Sequence, residues 1–208
     1  MIISFSGLDG SGKTTQLHIL ADMLRKEGIP FSIVEVGRMS IFMHVKSIIQ
    51  VFSHRTVTNI EGIQFDLSGN ASLFKRFLSI IRQICTVLDI MVFVLIFRIL
   101  LFFRKRIILC DRYFFDSIAQ LYYLKMCSRQ MFLFLLMLVP MPDVSFLLNA
   151  GGQIAYNRKP EYVKSYFIRK SRLYQFIARK YKMKVIESYD IQKTTIAIQK
   201  HLQELLII

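Results

Sequence analysis

Apolar runs of two kinds alternate along the chain: short unbroken ones, and longer ones at helical spacing. Ile2, Ile3 and Phe5 form a brief apolar run. After a glycine-rich segment, Leu17, Leu20, Ala21 and Leu24 recur every three or four residues until Gly28 and Pro30, which predicts a strand, a loop and a helix starting at Lys13. Phe31 to Val36 predicts a second strand ending at Gly37 and Arg38. Ile41 to Phe52 has a helical period, and Ser53 to Ser72, rich in Thr, Asn, Gly and Ser, reads as an irregular connection. Ile107 to Cys110 predicts a third strand and Val144 to Leu148 a fourth. Helices are expected at Asp116 to Met126 and at Ser128 to Leu138, with Ser128 as N-cap of the latter. A short helix at Gln153 to Arg158, a longer one at Glu161 to Tyr181, a fifth strand at Lys184 to Ile186 and a last helix at Ile191 to Leu205 complete the pattern.

Strands that alternate with helices point to an α/β fold with a parallel sheet, here five-stranded and doubly wound with helices on both faces. The 208 residues fit one domain, without internal repeat or Pro/Gly/Ser-rich linker. Leu73 to Phe103 departs from the alternation as one long, largely apolar stretch. On hydropathy alone Ile84 to Phe103 is long enough to span a bilayer. Asp89 and Arg98 interrupt it, and each charge near a bilayer centre costs about 2.5 to 3.5 kcal/mol. A buried helix is therefore the expectation, one that also offers a surface to a second subunit or, less favoured, to a membrane.

The chemistry sits in the first loop. Gly7, Leu8, Asp9, Gly10, Ser11, Gly12, Lys13 and Thr14 fill every fixed position of the phosphate-binding pattern GxxxxGK[ST], between a predicted strand and a predicted helix. Glycines let successive amides turn inward around phosphate oxygens. Lys13 is placed to bridge the β- and γ-phosphates, Thr14 to offer a hydroxyl to Mg²⁺, and the helix start that continues through Thr15 to add its positive dipole end. Asp111 and Arg112 follow the third strand at the edge where doubly wound sheets bind ligands, as Arg38 follows the second.

Charge adds a second pointer. The formal net charge is +14, and between Arg158 and Lys184 ten basic residues (Arg158, Lys159, Lys164, Arg169, Lys170, Arg172, Arg179, Lys180, Lys182, Lys184) face one acid, Glu161. With no RNP-like or zinc pattern beside them, a small polyphosphate ligand accounts for them better than nucleic acid. Cys85, Cys110 and Cys127 form no CxxC pair and read as buried thiols of a reducing compartment. Without a basic, apolar leader at the N-terminus, the expected location is cytoplasmic.

Taken in order, FSGLDGSGKTTQ, ILCDRY and PDVSFLLNAGGQIAYNR resemble the thymidylate kinase family of P-loop nucleoside monophosphate kinases over nearly the whole chain. The resemblance implies a homodimer that transfers the γ-phosphoryl group of ATP, with Mg²⁺, to dTMP or a related nucleoside monophosphate. It further implies that Asp9 meets the acceptor sugar and Arg112 the acceptor phosphate, and that Asp111 holds Mg²⁺ through water beside Thr14. Arg158 and Lys159 would act from a short lid near 158–163, and Arg38, Ser117 and Gln120 would line the acceptor site. Lys13, Arg112 and Arg158 are then the catalytic residues.

The family's Arg-Glu-Pro-Gly segment after strand two has only Val36, Gly37 and Arg38 near its place. Its thymine-binding arginine falls near Asp89 and Ile90, and a tyrosine close to the sugar is Gln120. The acceptor site is thus divergent. Two other readings remain: a nucleotide-binding protein without kinase activity, and a kinase for a different small phosphorylated acceptor. A GTPase is disfavoured because no NKxD segment exists, and a motor ATPase because Arg112, not an acid, follows Asp111.

Overall fold

The computed structural model describes residues 1–36, 71–103, 107–151, 154–156 and 164–204. The expected helix at 41–52, most of the irregular connection, Arg38, Arg158, Lys159 and the lid near 158–163 lie outside the described residues. Five strands, β1 (Ile2–Gly7), β2 (Phe31–Val34), β3 (Ile107–Asp111), β4 (Val144–Asn149) and β5 (Lys184–Glu187), form one parallel sheet in the order β2-β3-β1-β4-β5. Six helices of eight residues or more connect them among the described residues: α1 (Lys13–Lys26), α2 (Ala71–Phe103), α3 (Phe114–Tyr123), α4 (Arg129–Leu138), α5 (Lys164–Lys180) and α6 (Ile191–Glu204). This is the doubly wound α/β architecture that the alternation of elements predicts.

Side chains alternate across a strand, so the sheet builds two cores. Ile3, Phe5, Leu109, Val144, Phe146 and Leu148 turn to one face, where Leu17, Leu20 and Leu24 of α1 and Ile198 and Leu202 of α6 cover them. Ile2, Ile108, Cys110 and Leu147 turn to the other, under side chains of α2, α3, α4 and α5. Burial on both faces explains why β3 is apolar from Ile107 to Cys110 and not alternating, whereas the edge strands β2 and β5 are partly exposed.

Several boundaries differ from the expectation by one to three residues. The third helix begins at Phe114, not Asp116, because the Asp116 carboxylate reaches back to accept from the amide of Tyr113 at 3.0 Å and caps the first turn. Strand β2 stops at Val34, two residues early. Ser128 does cap α4, accepting from the amide of Met131 at 3.1 Å. Cys127 is half-buried, whereas Cys85 and Cys110 are buried as expected.

Helix α2 is not buried all round. Cys85, Thr86, Ile90 and Phe93 face inward, and the Phe93 ring meets Phe114 and Tyr113 edge-on at 4.6 and 5.8 Å. Phe77, Ile80, Ile84, Leu88, Met91 and Leu95 are exposed, and their spacing makes one apolar stripe along the helix. Taken over the described residues, no helix is long and apolar enough to cross a membrane.

Phe146 tests the core: it is fully buried on the central strands and stacks on Phe5 with ring centroids 5.4 Å apart. Phe146→Ala should lower the unfolding free energy by about 3 to 5 kcal/mol in a urea titration. A loss below about 1 kcal/mol would contradict this packing.

Candidate active site

Strand β1 runs directly into the glycine-rich loop. Gly7 has φ +148°, and a Cβ there would lie 2.5 Å from the carbonyl oxygen of Leu148 on the neighbouring strand, so only glycine fits. Gly12, at φ 86°, makes the left-handed turn that starts α1. Between them Leu8 anchors the loop in the core while its carbonyl accepts from the amide of Ser11 at 3.1 Å. Lys13 folds back beneath the loop, donating from Nζ to the carbonyls of Gly7 and Leu8 at 3.0 and 2.7 Å. Its side chain is buried.

Sheet register supplies the second half of the site. Phe5 pairs with Asp111, which sets the end of β3 beside the loop. Thr14 donates from Oγ1 to Asp111 Oδ2 at 2.7 Å, and Asp111 Oδ1 is buried without a hydrogen-bond partner. Arg112 then adopts a left-handed conformation, φ 64°, its amide donating to the Phe5 carbonyl at 3.1 Å. A bulky residue holds that conformation only under constraint from its surroundings. Its guanidinium turns onto Asp9, with Nη2 2.6 Å from Oδ1.

Helix α5 closes the cluster. Tyr166 donates to the other oxygen of Asp9 at 3.1 Å, and Lys170 donates to the Tyr166 hydroxyl at 2.6 Å and lies 3.8 Å from Asp9 Oδ2. Burial works to raise the Asp9 pKa, but Lys170, Arg112 and Lys13 outweigh it and hold the carboxyl well below the usual carboxylate range. Burial also pushes Lys13 down to about 8, with Arg112 acting in the same direction and Asp116 and Asp9 opposing it. Arg112 is raised despite burial because Asp9 and Asp116 stabilise its charge.

The donors fit a hard cation. The Thr14 hydroxyl and the Asp111 carboxylate, one oxygen of it buried and unpartnered, are the ligand types Mg²⁺ takes beside phosphate oxygens and water. Among the described residues no group of three or more His, Cys, Asp or Glu side chains gathers to hold a metal ion. A cation here would therefore draw its other ligands from a bound nucleotide and solvent.

Of the residues singled out in the sequence, the structure gathers Asp9, Lys13, Thr14, Asp111 and Arg112 around the loop. Thr15 is exposed on the first turn of α1, and Ser117 is half-buried on α3. Gln120 stands one turn beyond Asp116 on α3, with its Oε1 buried and unpartnered. Asp116, Tyr166 and Lys170 were not foreseen. For the residues of α5 the signal was spacing, since Tyr166, Lys170 and Tyr174 recur every four residues on one face of a helix, with a lysine between two aromatics, whereas nothing in the sequence marks Asp116.

A five-stranded parallel sheet flanked by helices, with a phosphate loop after β1, is the fold of the P-loop nucleotide-binding proteins. No protein-family model matches the sequence, and no curated protein sequence matches it. Among solved structures, the fold matches that of thymidylate kinase from Ehrlichia chaffeensis, over 99% of this chain and 98% of that one, at 21% identity and a TM-score of 0.55.

Asp9 gives a prediction with a definite sign. A folded-state pKa below the unfolded one means that its contribution to stability is complete above the ordinary aspartate value and is lost between about pH 5 and pH 1. Asp9→Asn should be destabilised at neutral pH and approach the unaltered protein as the pH falls. Parallel stability curves for the two proteins across that range would contradict it.

Proposed function

We propose that this protein is an ATP-dependent kinase that transfers the γ-phosphoryl group to a nucleoside monophosphate or a related small phosphorylated acceptor. The observation that carries this reading is Arg112. It leaves β3 in a left-handed turn beside the phosphate loop, paired with Asp9, at the position where a hydrolase would need an acid to orient water. A guanidinium there suits an anionic acceptor, since its planar fork matches phosphate oxygens.

ATP would supply the transferable group, and Mg²⁺ charge neutralisation. The loop amides and Lys13 would bind the donor phosphates, which requires the Lys13 ammonium to exchange the Gly7 and Leu8 carbonyls for phosphate oxygens. Thr14 and Asp111 would hold the cation, and Arg112 the acceptor phosphate. Arg158 and Lys159 would close over the transferred group from the lid near 158–163, and Arg38, Ser117 and Gln120 would complete the acceptor site. A cytoplasmic location and one catalytic domain belong to the same reading.

One observation favours a second reading, a nucleotide-binding protein without kinase activity. Both oxygens of Asp9 already accept, from Arg112 and Tyr166, so the contact expected with an acceptor sugar is engaged within the protein. Incubation with ATP, Mg²⁺ and a panel of nucleoside monophosphates separates the two. ADP formed only when an acceptor is present supports the kinase, and nucleotide binding without turnover supports the second reading.

In that assay Lys13→Ala should abolish ADP formation. Arg112→Ala should raise the acceptor KM and lower kcat, together costing about 10-fold to 100-fold in kcat/KM, as loss of a charge-assisted hydrogen bond does. An unchanged acceptor dependence in Arg112→Ala would remove its assigned role. We further expect dTMP not to be the preferred acceptor. Asp89 and Ile90 supply no arginine for thymine, and Arg82, on the same helix, is directed to Met126, its Nη1 3.4 Å from Sδ. A kcat/KM for dTMP clearly above those for dUMP, dCMP and dAMP would refute this.

The exposed stripe on α2 suits a second copy of the chain. Its steps of three and four residues are those by which one helix packs along another. Leu88→Glu combined with Met91→Glu, both positions exposed, should convert a dimer into a folded monomer in sedimentation velocity. A monomeric unaltered protein at micromolar concentration would overturn the proposal.

A further inference from the structure

Asp116 is a buried carboxylate, 5% exposed, that accepts from four donors on three parts of the fold. Ser6 Oγ, at 2.7 Å, and the Gly7 amide, at 3.4 Å, belong to the end of β1 where the phosphate loop begins. The Tyr113 amide, at 3.0 Å, follows Arg112 directly. The Tyr174 hydroxyl, at 2.7 Å, comes from α5, two turns beyond Tyr166 and one beyond Lys170. Capping α3 requires only the Tyr113 bond, and the other three donors exceed what a cap uses.

The arrangement answers a problem set by the backbone. Arg112 occupies a left-handed conformation that costs on the order of 1 to 3 kcal/mol and persists only when its neighbours over-determine it. Its own amide is held by Phe5 of β1, and the next amide by Asp116, which in turn grips Ser6 and Gly7. The turn that presents Arg112 and the turn that starts the phosphate loop are thus fastened to the same carboxylate.

We propose that Asp116 is a positioning residue, fixing the start of the phosphate loop and the Arg112 turn in one geometry so that a bound nucleotide and an acceptor phosphate meet in line. The part played toward Arg112 rests on the kinase reading. The part played toward the loop holds for any nucleotide ligand.

Asp116→Asn keeps the shape of the side chain and removes its charge and half of its accepting capacity. The test measures Mg²⁺·ADP affinity by calorimetry, acceptor-dependent ADP formation and the melting temperature, beside Tyr174→Phe, which deletes one donor on the side of α5. Asp116→Asn should bind Mg²⁺·ADP about 10-fold or more weakly and lose kcat. Tyr174→Phe should melt earlier yet bind within about twofold of the unaltered protein. Unchanged affinity in a folded Asp116→Asn protein, or affinity losses that track the melting temperature equally in both variants, overturns the proposal. An unaltered protein that binds Mg²⁺·ADP but transfers nothing defeats the kinase reading alone. If Asp116→Asn does not fold, hydrogen exchange on the unaltered protein decides. The Tyr113 amide should be protected and further slowed by Mg²⁺·ADP, and fast exchange there overturns the proposal.

Discussion

Charge removed from water must be balanced by charge removed with it, and this requirement shapes the region beneath the phosphate loop. Lys13, Lys170, Asp9 and Asp116 are all buried, with Arg112 partly so. An isolated ion in such a place would cost several kcal/mol even after relaxation. Here each cation has a carboxylate within its field, and tyrosine hydroxyls and backbone amides take up the remaining oxygens. On the proposed reading, the cations that would neutralise phosphate are already assembled and only internal partners have to be exchanged.

What assembles them is the position of β1 in the sheet. With β3 on one side and β4 on the other, the loop leaving β1 is flanked by the ends of both neighbours. Register does the rest, since Phe5 opposite Asp111 and Gly7 opposite Leu148 decide that Thr14 reaches Asp111 and that no side chain fits at Gly7. The third contributor, α5, brings Tyr166, Lys170 and Tyr174 from more than 150 residues beyond the loop. None of these contacts is local, so the site exists only in the finished fold.

That dependence explains which parts could be read in the sequence. The phosphate loop was, because its chemistry demands fixed residue types at fixed spacing. So were the strands, most plainly β3, whose unbroken apolar run follows from burial on both faces. Asp111 and Arg112 were placed by falling at the end of a strand. Lys170 was counted with nine other basic residues as charge for a small polyphosphate ligand, and only the fold shows it buried under Tyr166 while Arg169, Arg172 and Arg179 remain exposed. Asp116 looked like an ordinary residue of a helix start, since three of its four donors, Ser6, Gly7 and Tyr174, come from segments remote in sequence. The solvent-exposed stripe of α2 was hidden for another reason: polar residues of this helix do not mark its outer side, since Ser79, Arg82 and Gln83 reach Met126 and Thr86 is buried.

The strand at the centre of the sheet also precedes every strand it pairs with. Ile2 lies opposite Ile108 and Ile3 opposite Val144, so β1 must await partners made more than a hundred residues later. At ribosomal rates of about 5 to 20 residues per second, that wait is on the order of ten seconds. During it Ile2, Ile3 and Phe5 have no sheet to enter, and closing such long loops makes the pairing slow once it begins. The nascent chain is therefore most vulnerable to aggregation around β1, and the glycine-rich loop that follows it is among the last features to acquire its shape.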